Sequence, residues 1–328
     1  MTRIAITLGD PRGIGPEVVA KALQDPPSGV DLVAIGPDEL VQDLPVEGIG
    51  IGSLDEARDR SPGDQGRGGP VDPFFGSRST STRLTPAGAG LMAGRAVERA
   101  ARMALDHEVD AIVTAPAEKY ALNLAGYKYP GHTEWLADLA GGVDVAMMLV
   151  AEKLRVVLIT THLALRDVPD AVTTERIITV GEVTQRAFRK RFGIAEPRLA
   201  VCALNPHAGE SSLFGSEDRD IIGPAAARLG AVGPIPADTV FVRCLKGEFD
   251  AVLAPYHDVG MTAIKVASFG KAVNITLGLP FVRTAPDHGT AMDIAGRGVA
   301  DPSSMREALA LAVRLAMRGE RASGAMAE

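Results

Sequence analysis

Three apolar runs in this sequence each end and then present a histidine within a few residues. Val156–Thr160 leads to Thr161-His162, Leu199–Leu204 to Asn205-Pro206-His207, and Ala251–Ala254 to Pro255-Tyr256-His257. The runs are apolar nearly throughout rather than alternating, the pattern of parallel strands covered on both faces. In parallel α/β sheets, ligands bind at the carboxyl ends of the strands. Three imidazoles at neighbouring strand ends can therefore converge on one divalent cation. Three protein ligands leave a coordination position open for substrate, as a catalytic site requires. Asp258, next to His257, can orient that ligand or accept a proton. The competing reading is three separate imidazoles, each hydrogen-bonded at its own strand end and serving only the fold. Spacing alone does not choose between them.

Three further segments carry chemistry-bearing residues. Leu8-Gly9-Asp10-Pro11-Arg12-Gly13-Ile14-Gly15-Pro16-Glu17 lies between a strand and a helix. Its glycines allow close backbone approach, and the helix start offers free N–H groups to an anion. It is neither a GxGxxG turn nor a P-loop, so a tight structural turn explains it equally well. Gly131-His132-Thr133-Glu134 precedes a helical stretch beginning at Trp135. A helix N-terminus with an imidazole and a hydroxyl suits a phosphate or carboxylate, although Thr133 can equally be only an N-cap. Lys265 and Arg283 flank the apolar strand Val273–Leu277 and are candidate clamps for a doubly charged anion, or else solvated surface charges. Beyond them, His288-Gly289-Thr290 opens a small-residue helical turn able to face a nucleotide.

The elements that must position these residues alternate along the chain. Arg3–Leu8, Leu32–Ile35, Ala111–Thr114, Val145–Val150 and Val273–Leu277 read as further buried strands. Thr85–Leu105, Thr174–Phe192 and Pro302–Arg318 read as helices, the last with Asp301 as cap and Gly319 just past its end. This alternation predicts an α/β architecture with mainly parallel sheets, in two α/β lobes with a cleft between them. Gly48–Ser81 lacks periodicity and reads as a long surface loop. With 328 residues the chain is long enough to need no disulfide staple. Cys202 and Cys244 fit no CxxC motif and sit in apolar stretches, so they read as buried free thiols, consistent with a reducing cytoplasm. A net charge of -7 argues against a nucleic-acid-binding surface. No apolar stretch is long and uncharged enough to span a bilayer, and the N-terminal run is too short for a signal peptide.

The blocks ITLGDPRGIGPE, VDAIVTAPAEK, PGHTE, ITTHLALRDV, LNPHAGE, PADTVF, YHDVG and VNITLGLPFVRTAPDHGTAMDIAGRG follow one another from residue 4 to about residue 298. Together they make the chain resemble the 4-hydroxythreonine-4-phosphate dehydrogenase family of pyridoxal phosphate biosynthesis. The resemblance implies an isocitrate/isopropylmalate dehydrogenase-like fold of two α/β/α lobes. The cofactor-side lobe would comprise residues 1–125 and 270–328, and the lobe with metal ligands and dimer interface residues 126–269. It implies one divalent metal (zinc, cobalt or magnesium) on His162, His207 and His257, with the third ligand supplied across a homodimer. Substrate-binding positions fall on His132, Thr133, Lys265, Asn274 and Arg283. Asp238, Asp258 and Lys265 are the candidate proton acceptors. Asp287, His288, Gly289, Thr290 and Asp293 fall on the NAD or NADP loop. The implied reaction is oxidation of 4-phosphooxy-L-threonine at C3, with decarboxylation to 3-amino-2-oxopropyl phosphate. Five residues depart from the family pattern: Glu118, Ala164, Val259 and the pair Ser211-Ser212 stand where Asn, Pro, Gln and a Gly-rich step are usual. They leave open a sister dehydrogenase acting on phosphorylated threonate or erythronate, or on a cis-diol dicarboxylate. A more distant alternative is a three-histidine metal hydrolase or lyase.

Overall fold

The structure is a computed structural model that describes residues 1–58, 84–268 and 270–324. Most of the expected 48–81 loop therefore lies outside the described residues. Among those described, eleven strands follow in chain order: β1 (Arg3–Thr7), β2 (Asp31–Gly36), β3 (Glu47–Gly50), β4 (Ala111–Thr114), β5 (Ala146–Ala151), β6 (Leu154–Leu158), β7 (Leu199–Cys202), β8 (Val232–Ile235), β9 (Ala251–Ala254), β10 (Val273–Leu277) and β11 (Val282–Pro286).

The chain divides into two compact units. The first comprises Met1–Ala140 and Pro280–Met317, and the second Gly141–Leu279 with the chain from Arg318 onward. These limits differ from 126 and 270 because of local packing. The helix Pro86–Leu105 packs on the helices Lys119–Leu124 and His132–Leu139, which keeps the chain up to Ala140 with the first unit, whereas β10 pairs with β5 and so belongs to the second.

In the first unit the strands run in the order β3-β2-β1-β4-β11, and every pair is parallel. The helix Gly15–Ala22 connects β1 to β2 and is almost wholly buried. The helix Pro86–Leu105 starts where the sequence places it: Thr85 accepts from the Gly88 amide (3.0 Å) and Pro86 takes the first turn. Its face of Met92, Ala93, Ala96, Val97, Ala100 and Ala104 recurs at helical spacing and is buried. The helix Ser303–Gly324 begins after Asp301, whose carboxylate accepts from the Ser303 amide (2.9 Å). It runs through Gly319 instead of stopping there, since a helical glycine costs only about 1 kcal/mol.

In the second unit the order is β10-β5-β6-β9-β7-β8. β6, β9, β7 and β8 are parallel, but β5 is antiparallel to both β6 and β10. The two-residue link Glu152-Lys153 between β5 and β6 dictates this, because so short a connection can only return the chain antiparallel. The helix Thr174–Ala187 is capped by Thr173 and continues into a wider turn, Phe188–Phe192, ended by left-handed Gly193 (φ 70°). The core gathers Leu149, Val156, Leu158, Val252, Ala254 and Ile264. Cys202 and Cys244 are buried free thiols within it, and burial pushes the Cys202 thiol up to about 12. No helix of the described residues is long and apolar enough to cross a membrane.

Candidate active site

Chemistry-bearing residues gather in two places, one in each unit. In the first unit β11 carries Arg283, which is 4% exposed. Its Nε and Nη2 donate to Thr114 Oγ1 at the end of β4 (3.2 and 2.7 Å). Burial pulls the guanidinium down to about 10, while the Glu134 carboxylate acts the other way. Arg283 is the second residue of β11, and its guanidinium reaches Thr114 at the carboxyl end of β4; so buried a cation attracts an anion strongly, since little solvent screens it.

Beside it stands the helix His132–Leu139. It begins at His132, three residues earlier than Trp135, with Gly131 at the N-cap. Thr133 is thus a buried residue of the first turn and not the cap. Burial, then the nearby Arg283 and Lys119 charges, push the His132 imidazole down to about 3, so it stays neutral at physiological pH. His132 Nε2 and Glu134 Oε2 are buried polar atoms with no hydrogen-bond partner in the protein.

The Gly-rich loop before Gly15 belongs to the same unit. Asp10, fully buried, accepts from the Arg12 amide (2.9 Å), Nε (3.1 Å) and Nη2 (2.7 Å), and Arg12 Nη2 also donates to Glu118 (2.6 Å). Glu118, one of the departures from the family pattern, thus holds Arg12 in place. The Ile14 amide donates to the Thr290 carbonyl (2.9 Å), and a Cβ on Gly13 would meet that oxygen at 2.7 Å. The loop therefore packs directly on the Asp287–Thr290 segment. There His288 Nδ1 lies 3.0 Å from the Gly289 carbonyl, and its Nε2 is buried without a partner. Asp293 is exposed. From Asp287 to Gly298 the chain forms turns in place of the expected helical start, with Ala291 at φ 40°.

In the second unit His162 and His257 come together, with ring centroids 5.6 Å apart. His257 Nδ1 hydrogen-bonds Asp258 (2.7 Å), an arrangement that fixes the ring and turns Nε2 outward. His207 instead sits with Glu210 (Nδ1 to carboxylate, 3.0 Å) and Phe214 (ring centroids 6.3 Å). The carboxylate raises its pKa. Among the described residues of this single chain, no three of His, Cys, Asp or Glu form a metal-holding group. The structure thus brings two of the three strand-end imidazoles together in one chain and places His207 with Glu210 and Phe214. From His207 to Ser212 every residue has positive φ (52°, 56°, 77°, 39°, 59° and 72°), a left-handed run rare outside glycine.

What braces that run is Asp218, fully buried. Its carboxylate accepts from the amides of Leu204 (2.8 Å) and Asn205 (2.9 Å), and Glu217 accepts from Asn205 Nδ2 (2.8 Å). His207, Asn205, Leu204, Asp238, Tyr256 and Val259 line a cavity of about 380 Å³. Lys265 is exposed on the helix His257–Ser268, and Asn274 on β10 keeps a buried Oδ1 without a partner. Sequence reasoning missed Asp218, Glu217 and Thr114 as site-building residues. Only Thr114 carried a signal, standing as the one polar residue at the end of an apolar strand.

The donor sets fit the groups that the resemblance implies. Two close imidazoles, one oriented by a carboxylate, suit a divalent cation. The unpartnered His288 Nε2 in the turn beside the glycine loop suits a polar dinucleotide.

A family profile described as "Pyridoxal phosphate biosynthetic protein PdxA" matches residues 73–312. The D-threonate 4-phosphate dehydrogenase of Salmonella typhimurium is 43% identical over 323 residues, covering 95% of this chain and 98% of that protein. The 4-hydroxythreonine-4-phosphate dehydrogenase of Geobacter metallireducens is 41% identical over 326 residues, covering 96% and 95%. The crystal structure of 4-hydroxythreonine-4-phosphate dehydrogenase from Klebsiella pneumoniae superposes with a TM-score of 0.79 at 38% identity, covering 96% of this chain and 100% of that one. The α/β architecture with mainly parallel sheets is therefore the isocitrate/isopropylmalate dehydrogenase-like one. On these matches, of which the relatives' run nearly end to end, the chain belongs to the PdxA family, an oxidoreductase family of dehydrogenases.

Proposed function

We propose that this chain oxidises 4-phosphooxy-L-threonine at its C3 hydroxyl, using NAD or NADP and one divalent metal, and releases CO2 to give 3-amino-2-oxopropyl phosphate in pyridoxal phosphate biosynthesis. The observation that carries the reading is the buried Arg283 beside a helix start whose imidazole stays neutral, an anion pocket in a chain that matches dehydrogenases end to end. Arg283, His132 and Thr133 would hold the anionic substrate, with Lys265 and Asn274 as further contacts. Arg283 is already oriented by Thr114, so little side-chain freedom is lost on binding.

His162, His207 and His257 would hold the metal, the third imidazole arriving across a cytoplasmic homodimer. Asp287, His288, Gly289, Thr290 and Asp293 would hold the dinucleotide. When bound, the metal supplies Lewis acidity toward the substrate hydroxyl and the dinucleotide accepts hydride. Asp238, in the same cavity as His207, is the best-placed acceptor for the hydroxyl proton. Asp258 acts through the His257 ring it orients, and Lys265 is the third candidate. The substrate C3–H bond breaks as hydride leaves. The C–CO2 bond then breaks, its electron pair passes into the new ketone, and a proton returned to carbon completes the product.

Relatives of both names match this chain at similar identity, 43% and 41%, so D-threonate 4-phosphate is the second reading. The test is to incubate the protein with a divalent metal, NAD or NADP and each substrate, and to follow nicotinamide reduction. The two kcat/KM values rank the readings, because their ratio measures differential transition-state binding. No reduction with either substrate rejects both.

A further inference from the structure

We propose that Lys21 is a positioning residue for the dinucleotide: its ammonium pins the far end of the turn from Asp287 to Gly298 and so sets the affinity for NAD or NADP. This rests on the reading of that turn as the dinucleotide site. Every residue involved belongs to the first unit. Lys21 stands in the last turn of the helix Gly15–Ala22. A lysine there ordinarily carries its charge out to water and favours the helix only through its dipole. Here the side chain is 15% exposed. Its Nζ donates to the carbonyls of Gly298 (3.0 Å) and Ala300 (2.6 Å) and to Glu17 Oε1 (2.9 Å). Three acceptors match the three hydrogens of an ammonium. The same Glu17 oxygen accepts from the Ala300 amide (2.7 Å), while the buried Oε2 has no hydrogen-bond partner in the protein. A buried ion pair with one bare oxygen is a poor source of stability, since desolvation offsets most of its attraction. What the pair does hold is the backbone path at 298–300.

That path decides where the turn lies. Its start is tied where the Asp287 amide donates to Ser304 Oγ (3.1 Å), and its middle where the Thr290 carbonyl accepts from the Ile14 amide (2.9 Å). The fit at Thr290 has no slack, because a Cβ on Gly13 would stand 2.7 Å from its carbonyl oxygen. Beyond Thr290 the backbone links are local: the Ile294 amide to the Ala291 carbonyl (3.1 Å) and the Arg297 amide to the Ile294 carbonyl (3.2 Å). Met292, Asp293 and Arg297 are exposed, and Ala291 keeps a left-handed φ of 40°. Such a segment holds one shape only while both ends are fixed. The glycine loop fixes the first end and the Lys21 ammonium the second. The buried, unpartnered His288 Nε2 lies in the same turn, a polar atom left for a ligand to satisfy. With the second end loose, the dinucleotide would bind a turn that is only fractionally in the right shape, and its apparent affinity falls by that fraction.

Lys21→Met keeps the apolar stem and removes the ammonium. The expected result is a calorimetric Kd for NAD or NADP about tenfold weaker than that of the wild type. The dinucleotide KM should rise in step with kcat nearly unchanged, the mark of lost uniform binding. Trypsin, applied without dinucleotide, should cut after Arg297 faster than in the wild type, the fragments being identified by mass. Because the variant leaves the Glu17 carboxylate uncompensated, a second variant guards against misfolding. Glu17→Gln combined with Lys21→Met removes that charge, keeps an acceptor for the Ala300 amide and should weaken dinucleotide binding equally. A folded variant whose dinucleotide affinity is unchanged, or whose kcat falls while KM stays put, overturns the proposal and leaves Lys21 a structural residue. Wild-type protein that binds neither NAD nor NADP defeats the reading of the turn and the proposal together. Wild-type protein that binds one of them no better than the variants do defeats the proposal alone.

Discussion

Replacing Asp218 by asparagine isolates one buried charge in the second unit. The aspartate is wholly shielded from solvent and receives two backbone amides, Leu204 on one oxygen and Asn205 on the other. Asparagine has the same shape but a single acceptor. One amide would therefore face an NH2 group, losing a charge-assisted bond and leaving a buried donor unsatisfied. Bonds to charged groups contribute roughly 1.5–3 kcal/mol and an orphaned donor costs roughly 1–3 kcal/mol, overlapping terms that place the total at about 2–4 kcal/mol. Urea unfolding resolves where the loss falls. Trp135 is the chain's one tryptophan and belongs to the first unit, so its fluorescence reports that unit, whereas far-UV circular dichroism reports both. The dichroism transition of Asp218→Asn should move to lower urea. A change below about 0.5 kcal/mol in both signals would refute the bracing role.

Arg12→Ala strips the fully buried Asp10 of its guanidinium partner and should cost about 3–5 kcal/mol by thermal or urea unfolding, because a buried carboxylate is left uncompensated. Glu118→Asn, which installs the usual family residue, should cost under about 1 kcal/mol in the same assay, since Glu118 is 37% exposed and its pairing is screened. His132 supplies a pH test. Its pKa is about 3 in the folded protein against an ordinary 6.5, so the unfolded chain binds the extra proton between those values. That contribution to stability is complete above about pH 6.5 and is lost as the pH falls toward 3. His132→Asn should flatten this part of the stability–pH curve, and an unchanged slope would show that the imidazole titrates normally.

Much of this architecture was legible because burial writes itself into composition. The runs ending at His162, His207 and His257 are apolar since β6, β7 and β9 are covered on both faces, and the structure places all three as parallel neighbours. β3 and β8 were illegible for the converse reason. Each ends its unit's strand order, is at most partly buried over most of its length and carries glycine or proline, so neither needs an apolar run. The antiparallel placement of β5 was available in the two-residue link Glu152-Lys153, a cue of length and not of hydropathy. At the candidate site, strand-end position pointed to His162, His207 and His257, and residue type beside the strand Val273–Leu277 pointed to Arg283. Asp218 gave no comparable sign, and Thr114 only that it is polar at the end of an apolar strand; the partner that gives it a role, Arg283, lies 169 residues away in the chain.

The turn from His207 to Ser212 winds against the natural hand of L-residues, and five of its six members carry a Cβ. Each such residue costs roughly 1–2 kcal/mol relative to a right-handed one, so the segment is a loaded spring clamped at its base by Asp218. Its side chains can be exchanged toward glycine or asparagine without harm to the path. Adding or deleting a single residue would rotate every later peptide out of its place and release the spring. This stretch is therefore fixed in length even where its letters drift, and grafting it into another scaffold would require the aspartate to travel with it.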